Sequence, residues 1–190
     1  RCVQVMLARA AAYGAEIHER EPVRQLHPEG SGVVVETGAG QYRARNAVIA
    51  AGAWSGALLR EIGFEAPLRI SQEQTVYFRP RSDPRAFMVG RFPIWIHHRE
   101  QVVYGFPIVD APGIKVAFHG SGLYVNVEEY TQTPRQEVTD RLQAYLERYL
   151  PEAAGDAFDP TTCLYTNTPD EDFIVDTAPN LPQVTIAAGF

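Results

Sequence analysis

The apolar positions of the first 66 residues change from helical to strand periodicity. Near the N-terminus they recur at helical spacing, at Val3, Met6, Leu7 and Ala10. This spacing predicts a helix over residues 1–13 that packs on a sheet and ends near Gly14. After it, residues 15–18 favour a short strand, and Pro22 and Val23 favour a turn.

Strand signals continue to the end of this region. Residues 33–36 and 41–44 flank a glycine-rich connection (TGAG, 37–40), which predicts a β-hairpin. Residues 47–52 form a continuous apolar run that ends in glycine and is typical of a fully buried parallel strand. A helix is predicted to follow from Ala53. This order of elements favours an α/β layer arrangement.

From Pro67 onward the pattern changes to short, closely spaced strands. They are predicted at residues 68–78, 87–90, 94–98, 101–106, 113–119 and 123–127. Their spacing favours an antiparallel sheet over βαβ units. Thr133 and Pro134, with Gln136 at the capping-box position, predict the start of an amphipathic helix that runs to Pro151.

These patterns together predict a mixed α/β protein of two domains, with the first interrupted by the second. The predicted domains are residues 1–66, then residues 67–160 with the antiparallel sheet and a helix over 134–149, and then residues 161–190. The last segment returns to the strand character of the first domain and ends with a strand over residues 184–188.

Composition and charge exclude several classes of function. Of 190 residues, 45% are hydrophobic and 21% are charged, which is ordinary for a globular protein. The net charge of −6 disfavours a nucleic-acid partner. No apolar run approaches the roughly 20 residues of a membrane span, and the two cysteines form neither a disulfide framework nor a zinc motif. We therefore expect a cytoplasmic protein without a metal, a membrane partner or a nucleic-acid partner.

Five side chains carry reactive or polar groups on predicted strands. Cys163 is a lone cysteine on an apolar strand, where such a residue is generally a buried small hydrophobe. Lys115 and His119 share one strand face, and the pattern alone favours a solvent-facing lysine and a structural histidine. For Tyr104 and Tyr165 the pattern favours packed rings with hydrogen-bonded hydroxyls.

Two further polar groups carry no predicted chemistry. His97 and His98 are adjacent on a strand and point to opposite faces, so the pair does not form a simple metal chelate. The acidic turn at residues 170–172 is typical of a solvated loop.

Six stretches of the chain occur in an order and at spacings that match one known family. They are AVIAAGAWSGALL (47–59), VYGFP (103–107), GIKVAFH (113–119), CLYT (163–166), DEDFIVD (170–176) and VTIAAGF (184–190). Together they resemble the monomeric sarcosine oxidase and N-methyltryptophan oxidase group of D-amino-acid-oxidase-like flavoproteins. The resemblance covers essentially the whole chain and implies a Rossmann-like FAD-binding domain, interrupted by an antiparallel-sheet substrate domain.

Two features of that family have no match in residues 1–190. The glycine-rich GxGxxG unit that binds the FAD pyrophosphate is expected before Arg1. The family's Ser-Gly-His-Gly-Phe-Lys continuation, whose lysine helps to hold the substrate carboxylate, is expected after Phe190. The resemblance therefore implies an internal fragment that is inactive by itself.

The resemblance also implies roles for the five side chains. In the family, the thiol that matches Cys163 is linked covalently to the 8α carbon of FAD, and the lysine that matches Lys115 assists electron transfer to O2. His119 is implied to tune substrate protonation and binding near the active site. Tyr104 and Tyr165 are implied to line the substrate cavity.

Other positions are implied to contact the cofactor. They are Val23, Ala51, Gly52, Trp54, Gly189 and Phe190. The valine meets the adenine region through its backbone, and Gly52 permits close approach of the cofactor. For Trp54 a packing role is favoured over chemistry. Thr166 is implied to support the wall that Tyr165 forms.

The implied reaction is the FAD-dependent oxidation of a secondary amine to an imine, with O2 reduced to H2O2. Sarcosine or another N-methyl amino acid is the implied substrate. Residues 72–75 (QEQT) replace the arginine–glutamine pair that is usual in sarcosine oxidases, which implies a different secondary amine. A D-amino acid oxidase, an amine dehydrogenase and a non-catalytic scaffold of the same fold are the alternatives.

Overall fold

A computed structural model describes residues 2–190, which form three α-helices and twelve β-strands. The helices are α1 (Cys2–Ala12), α2 (Ser55–Glu61) and α3 (Gln136–Tyr149). The strands are β1 (Val23–Glu29), β2 (Gly32–Thr37), β3 (Gln41–Ala44), β4 (Ala47–Ile49), β5 (Arg69–Phe78), β6 (Trp95–His98), β7 (Val102–Phe106), β8 (Ile114–Phe118), β9 (Leu123–Tyr124), β10 (Ala157–Asn167), β11 (Ile174–Ala178) and β12 (Leu181–Ala188). No helix among these residues is long and apolar enough to cross a membrane.

The first of two compact units comprises the chain up to residue 49, residues 56–66 and residues 175–186. It contains an antiparallel sheet in the order β1-β2-β3 and most of a second sheet in the order β11-β12-β4. The hairpin predicted at residues 37–40 is confirmed, since the backbone N–H of Thr37 donates to the Gly40 carbonyl at 2.9 Å. The strand predicted at residues 47–52 is parallel, because β4 pairs in parallel with β12, but the prediction that it is fully buried is wrong, since Val48 is 66% exposed.

Three further predictions for the first unit are wrong. Residues 15–18 form no strand: the Ala15 N–H instead donates to the Ala10 carbonyl at 3.0 Å and closes the end of α1. Val23 does not lie in a turn but begins β1, where it pairs with Thr37. The apolar side chains of α1 do not pack on a sheet, and Met6 is 69% exposed. Arg1, included in that predicted helix, lies outside the described residues.

The second unit comprises residues 50–55, 67–174 and 187–190. Its main sheet has the order β10-β5-β8-β7-β6, with β9 paired to β5, and all of these pairings are antiparallel as predicted. One face of this sheet packs against α3. The buried core between them includes Val76, Phe78, Phe87, Val103, Ile114, Val116, Phe118, Leu142 and Leu146. Because side chains alternate along a strand, the opposite face carries a different set.

Helix α3 begins later than its sequence signals predict. Arg135 is the N-cap residue, and its side chain makes no capping hydrogen bond. Its backbone N–H donates to Gln74 Oε1 at 2.7 Å, and its carbonyl accepts from Gln74 Nε2 at 3.1 Å. The Gln74 side chain on β5 therefore sets the start of the helix. The predicted local capping box does not form. The predicted end is confirmed, since α3 stops at Tyr149 before Pro151.

Two of the predicted short strands differ in the structure. Residues 87–90 form no strand, because a short 3-10 helix over Pro84–Phe87 precedes them, with the Asp83 carboxylate accepting from the Arg85 N–H at 3.0 Å. Phe87 then enters the core, and Met88 makes a single bridge to Ile108. The strand predicted over residues 123–127 is shortened to the two residues of β9.

Candidate active site

The face of the main sheet that lies opposite α3 carries polar and aromatic side chains, and we call it the site face. It includes Ser71, Glu73, Thr75 and Tyr77 on β5, Tyr104 and Phe106 on β7, Lys115 and Ala117 on β8, and Thr161, Cys163 and Tyr165 on β10. Paired residues of antiparallel strands share a face, and the strand registers connect this whole set. Thr75 pairs with both Ala117 and Thr161, for example.

Three of the predicted site residues bring their rings together on the site face. His119 follows β8, and its ring lies between those of Tyr104 and Tyr165, with centroid distances of 6.3 and 5.7 Å. Burial raises the pKa of Tyr104, and the neighbouring Tyr165 raises it further. Burial likewise raises the pKa of Tyr165. Both phenols are therefore neutral across the physiological pH range.

Cys163 presents a free and exposed thiol on the site face. The expectation of a buried small hydrophobe, which the sequence pattern alone favours, is therefore wrong. The protein atoms around the thiol nevertheless raise its pKa by desolvation, and the charge of Glu73 raises it further. Lys115 acts in the opposite direction and lowers the pKa of the thiol. The two groups thus interact electrostatically across the sheet.

Lys115 lies at the centre of the sheet, where it is half-buried. Across the neighbouring strands it pairs with Tyr77 on β5 and Phe106 on β7, and its Nζ lies 5.9 Å from the centroid of the Phe106 ring. It is also the single lysine of the sequence, in which every other residue of the lysine and arginine types is an arginine. The side chain is partly exposed, so the solvent-facing alternative that the pattern alone favours stays open.

Glu73 is a residue of the site face to which the sequence pattern assigns no role. It is the one charged side chain among the buried residues of the described chain, with 4% of its surface exposed. Its Oε1 accepts hydrogen bonds from Ser71 Oγ at 2.7 Å and from the Gly122 N–H at 3.1 Å. It stands directly opposite Cys163 across β5 and β10. The sequence does offer one indication of this residue: the alternation of side chains along β5 places Glu73 on the same face as the other site residues.

The glycines predicted to contact the cofactor both have left-handed backbone conformations. Gly52 has a φ of +53°, and a Cβ at this position would meet nothing within 4 Å. Gly189 has a φ of +84°. Such angles favour glycine. A short 3-10 helix follows Ala51 and ends at Trp54, which is 54% exposed in this structure.

Three other predicted positions have separate environments. Val23 belongs to the first unit, where it begins β1 and is partly exposed. Phe190 stacks on Phe173 with a centroid distance of 4.6 Å. Thr166 lies on the opposite face of β10 from Tyr165, because adjacent strand residues alternate, so it does not support the same wall.

The polar groups without predicted chemistry have structural partners. His97 Nδ1 contacts the Tyr145 hydroxyl, and His97 Nε2 accepts from Arg99 Nε at 3.1 Å. Asp170 accepts from the Asp172 N–H, which lowers the pKa of its carboxyl. Within residues 2–190, no group of three or more His, Cys, Asp and Glu side chains is arranged to hold a metal ion.

The fold and this set of residues agree with a match to a known protein family. Residues 1–190 match the family described as DAO, FAD dependent oxidoreductase, and the chain belongs to this family. The relationship that the six sequence stretches indicate is therefore confirmed.

Curated relatives include oxidases of N-methylated amino acids. The chain is 35% identical to a monomeric sarcosine oxidase of Streptomyces avermitilis over 99% of this chain and 50% of the relative. It is 33% identical to the human peroxisomal sarcosine oxidase, over 93% and 46% of the two chains. It is 33% identical to an N-methyl-L-tryptophan oxidase of Citrobacter koseri, over 88% and 44%. The chain thus spans about half the length of the curated relatives it matches.

Solved structures share the fold. An L-proline dehydrogenase from P. horikoshii superposes with a TM-score of 0.82 at 21% identity, over 100% of this chain and 49% of that one. An unusual amino acid oxidase essential for nikkomycin biosynthesis gives a TM-score of 0.79 at 24% identity, over 97% and 50%. The predicted mixed α/β fold with antiparallel sheets is confirmed, and it is incomplete relative to these full-length chains.

Proposed function

We propose that the whole protein to which this chain belongs is an FAD-dependent oxidase of a secondary amine. The substrate is sarcosine or another N-methyl amino acid, the organic product is an imine, and O2 is reduced to H2O2. Family membership and the identity with sarcosine and N-methyl-L-tryptophan oxidases support the proposal. The observation that carries it is the gathering of Cys163, Lys115 and the two site tyrosines on one sheet face.

The residues of the site face fit a flat aromatic cofactor. The exposed Cys163 thiol is accessible for a thioether bond to the cofactor, and the Lys115 ammonium supplies a cation on the same face. The open space around the Gly52 Cα admits a ligand close to the backbone. Ala51, Trp54, Gly189 and Phe190 are proposed as further cofactor contacts. In the first unit, the backbone of Val23 is proposed to contact the adenine part.

When bound, FAD supplies the redox chemistry, accepting two electrons and a hydrogen from the amine and passing electrons to O2. The chain's own residues supply orientation and charge. The Lys115 ammonium stabilises negative charge that develops as O2 is reduced, and its half-buried setting strengthens this interaction relative to water. On β5, Arg69 has the same strand parity as the site face, but its guanidinium lies over the Tyr124 ring, 3.9 Å from the ring centroid.

The rings of Tyr104, His119 and Tyr165 form an aromatic wall for the amine. Edge-to-face contacts hold the three rings in position relative to one another. Both phenols stay neutral at physiological pH, because burial raises the pKa of each. Neutral rings exclude water from the reacting C–N bond while their hydroxyls orient the substrate. We propose that His119 tunes the protonation of the bound amine, since an amine must be neutral to release a hydride equivalent.

The test uses the whole purified protein. We expect a visible flavin absorbance band, which N-methyl amino acids bleach in the absence of O2 and which air restores, with one H2O2 formed per amine consumed. Peroxide well below this ratio, with reduction of an artificial acceptor instead, identifies a dehydrogenase. Preference for primary D-amino acids identifies a D-amino acid oxidase. A colourless protein that binds no added FAD overturns the proposal in favour of a scaffold.

A further inference from the structure

Phe106 lies directly opposite Lys115 across β7 and β8, on the site face. Cross-strand neighbours on one face are close enough for their side chains to interact. The Lys115 Nζ lies 5.9 Å from the centroid of the Phe106 ring, within the range in which a ring attracts an ammonium. Phe106 therefore contacts the charge that the proposed function assigns to the reduction of O2.

The other neighbours of Lys115 have different partners. Across β5 and β8 the lysine pairs with Tyr77, whose ring packs instead against Phe158 with a centroid distance of 5.6 Å. The ion pairs among residues 2–190 are formed by arginines and histidines, and none of them includes Lys115. In this part of the chain the ammonium thus contacts an aromatic ring and not a carboxylate.

A ring and a carboxylate hold an ammonium in different ways. A carboxylate neutralises the charge, so that little of it acts on a third group. A phenyl ring attracts the ammonium through its quadrupole and carries no net charge. Held by Phe106, Lys115 therefore keeps its full positive charge, which the stabilisation of reduced O2 requires in the proposed function.

Phe106 is itself held in place on both faces of β7. On the site face its ring meets that of Tyr104 edge to face, with a centroid distance of 5.9 Å and an interplanar angle of 85°. Gly105, between these two residues, faces the core side of the sheet. A Cβ added to Gly105 would lie 2.5 Å from the Trp95 ring, which packs against the core. The strand that carries Phe106 is thus closely packed at this position.

We infer that Phe106 is a positioning residue, whose ring holds the Lys115 ammonium on the site face without neutralising it. The inference rests on the proposed amine-oxidase function and deepens the assignment of Lys115. Because Lys115 is partly exposed, an ammonium that loses the ring turns to water instead. Phe106 acts through the lysine, so its removal affects the step on which the lysine acts more than any other step.

The experiment measures two half-reactions of the whole protein by stopped-flow absorbance: flavin reduction by sarcosine and flavin reoxidation by O2. Phe106→Leu removes the ring but keeps an apolar side chain. We expect it to slow reoxidation by about threefold to tenfold, the loss expected for a cation–ring contact, and to change reduction less. Phe106→Tyr keeps the ring and should be reoxidised at a rate close to that of the unmodified protein.

A double variant tests whether the ring acts through the lysine. In the Lys115→Met background, Phe106→Leu should slow reoxidation no further, because no ammonium remains to be held. A further slowing by the same factor overturns the inference, since the ring then acts independently of the lysine. Tyr124→Leu is the matched control: it removes a ring that lies under another cation, Arg69, at 3.9 Å, and should change neither half-reaction.

The midpoint potential of the bound flavin is a readout that does not depend on turnover. A cation near the flavin favours the negative charge that the flavin gains on reduction. The potential should therefore be lower in Phe106→Leu than in Phe106→Tyr or the unmodified protein. Reduction with dithionite makes the measurement independent of any amine. If Phe106→Leu does not fold, Phe106→Met is the ringless variant in all of these measurements.

The outcomes separate this inference from the proposed function. If sarcosine reduces the flavin, but a ringless variant has the reoxidation rate and potential of Phe106→Tyr, the inference is overturned and the function stands. Equal slowing of both half-reactions also overturns the inference, because the ring then supports the aromatic wall and not the lysine. If no N-methyl amine reduces the flavin of the unmodified protein, the proposed function fails, while the potential still tests the contact between ring and ammonium.

Discussion

Lys115 and Cys163 lie on the same face of one antiparallel sheet, on strands that are separated only by β5. Two strand spacings correspond to roughly 10 Å across the sheet, and the registers offset the two residues by four β5 positions, roughly 13 Å, along it. The lysine's charge lowers the pKa of the thiol, while burial and the charge of Glu73 raise it. A cation and a nucleophile are thus presented to the same side of the sheet by strands far apart in sequence, which is the arrangement that the proposed cofactor site requires.

Lys115→Met in the whole protein should slow reoxidation of the flavin by O2 far more than its reduction by the amine. The reason is that O2 gains negative charge during reduction, and the substitution removes the ammonium that stabilises it. Loss of such a preorganised charge costs on the order of 100-fold in rate. Stopped-flow absorbance measures the two half-reactions separately.

The matched control for Lys115 is Arg81→Met. Arg81 forms an exposed ion pair with Glu147 of α3 at 3.0 Å, away from the site face. This variant should change neither half-reaction. If Lys115→Met slows reduction and reoxidation by the same factor, the lysine does not act on O2 and its assignment is wrong.

Much of the main sheet is predictable from the sequence because its strands alternate strictly. The alternation of residues 114–118 puts Ile114 and Val116 in the core and Lys115 on the other face, and the structure has the same arrangement. The hairpin at residues 37–40 is likewise encoded locally by its glycines. The local sequence is therefore sufficient to predict a strand or a hairpin where the alternation of side chains and the turn residues indicate the same structure.

Features that depend on distant partners were not predictable. The start of α3 is set by Gln74, a residue 61 positions before Arg135. Residues 15–18 have strand-like composition, but β-strands need a neighbour for pairing, and no strand among residues 2–190 pairs with them. The place of Glu73 beside Cys163 depends on the register of β5 with β10, which residue types alone do not fix.

Cys163→Ser should release the flavin from the whole protein on denaturation. The exposed thiol is the proposed attachment point, and a serine hydroxyl is a far weaker nucleophile than a thiolate. After acid precipitation, we expect the yellow colour in the pellet of the unmodified protein and in the supernatant of the variant. Cys2→Ser, which alters the other free cysteine, should keep the flavin in the pellet. Flavin release from the unmodified protein would show that no thioether forms.

Tyr104 should make the protein lose stability at alkaline pH. Burial raises its pKa above the ordinary value of 10.0, whereas in the unfolded chain the phenol ionises near that value. The unfolded state therefore releases a proton that the folded state retains, and the free energy of unfolding falls as pH rises above about 10. Urea unfolding at about pH 8 and about pH 10.5 measures this loss.

Tyr104→Phe should reduce that alkaline loss, because the variant has no proton to release at this position. Tyr124→Phe, at an exposed tyrosine of β9, serves as the control and should leave the loss close to that of the unmodified protein. An identical pH dependence in Tyr104→Phe and the unmodified protein would mean that Tyr104 ionises equally in the folded and unfolded states.

Leu142→Ala should destabilise the second unit by about 2–5 kcal/mol, the range for removing a buried leucine side chain. Leu142 is completely buried where α3 packs on the main sheet, among Val116 and Phe118 of β8. The cavity left by the substitution should also let β8 shift. Because Lys115 lies on β8, flavin reoxidation should slow under conditions in which the protein is still folded. Leu123→Ala, at an exposed position of β9, should cost far less. Urea unfolding monitored together with flavin reoxidation checks both effects, and a loss of stability with no change in reoxidation would show that the helix does not position the lysine.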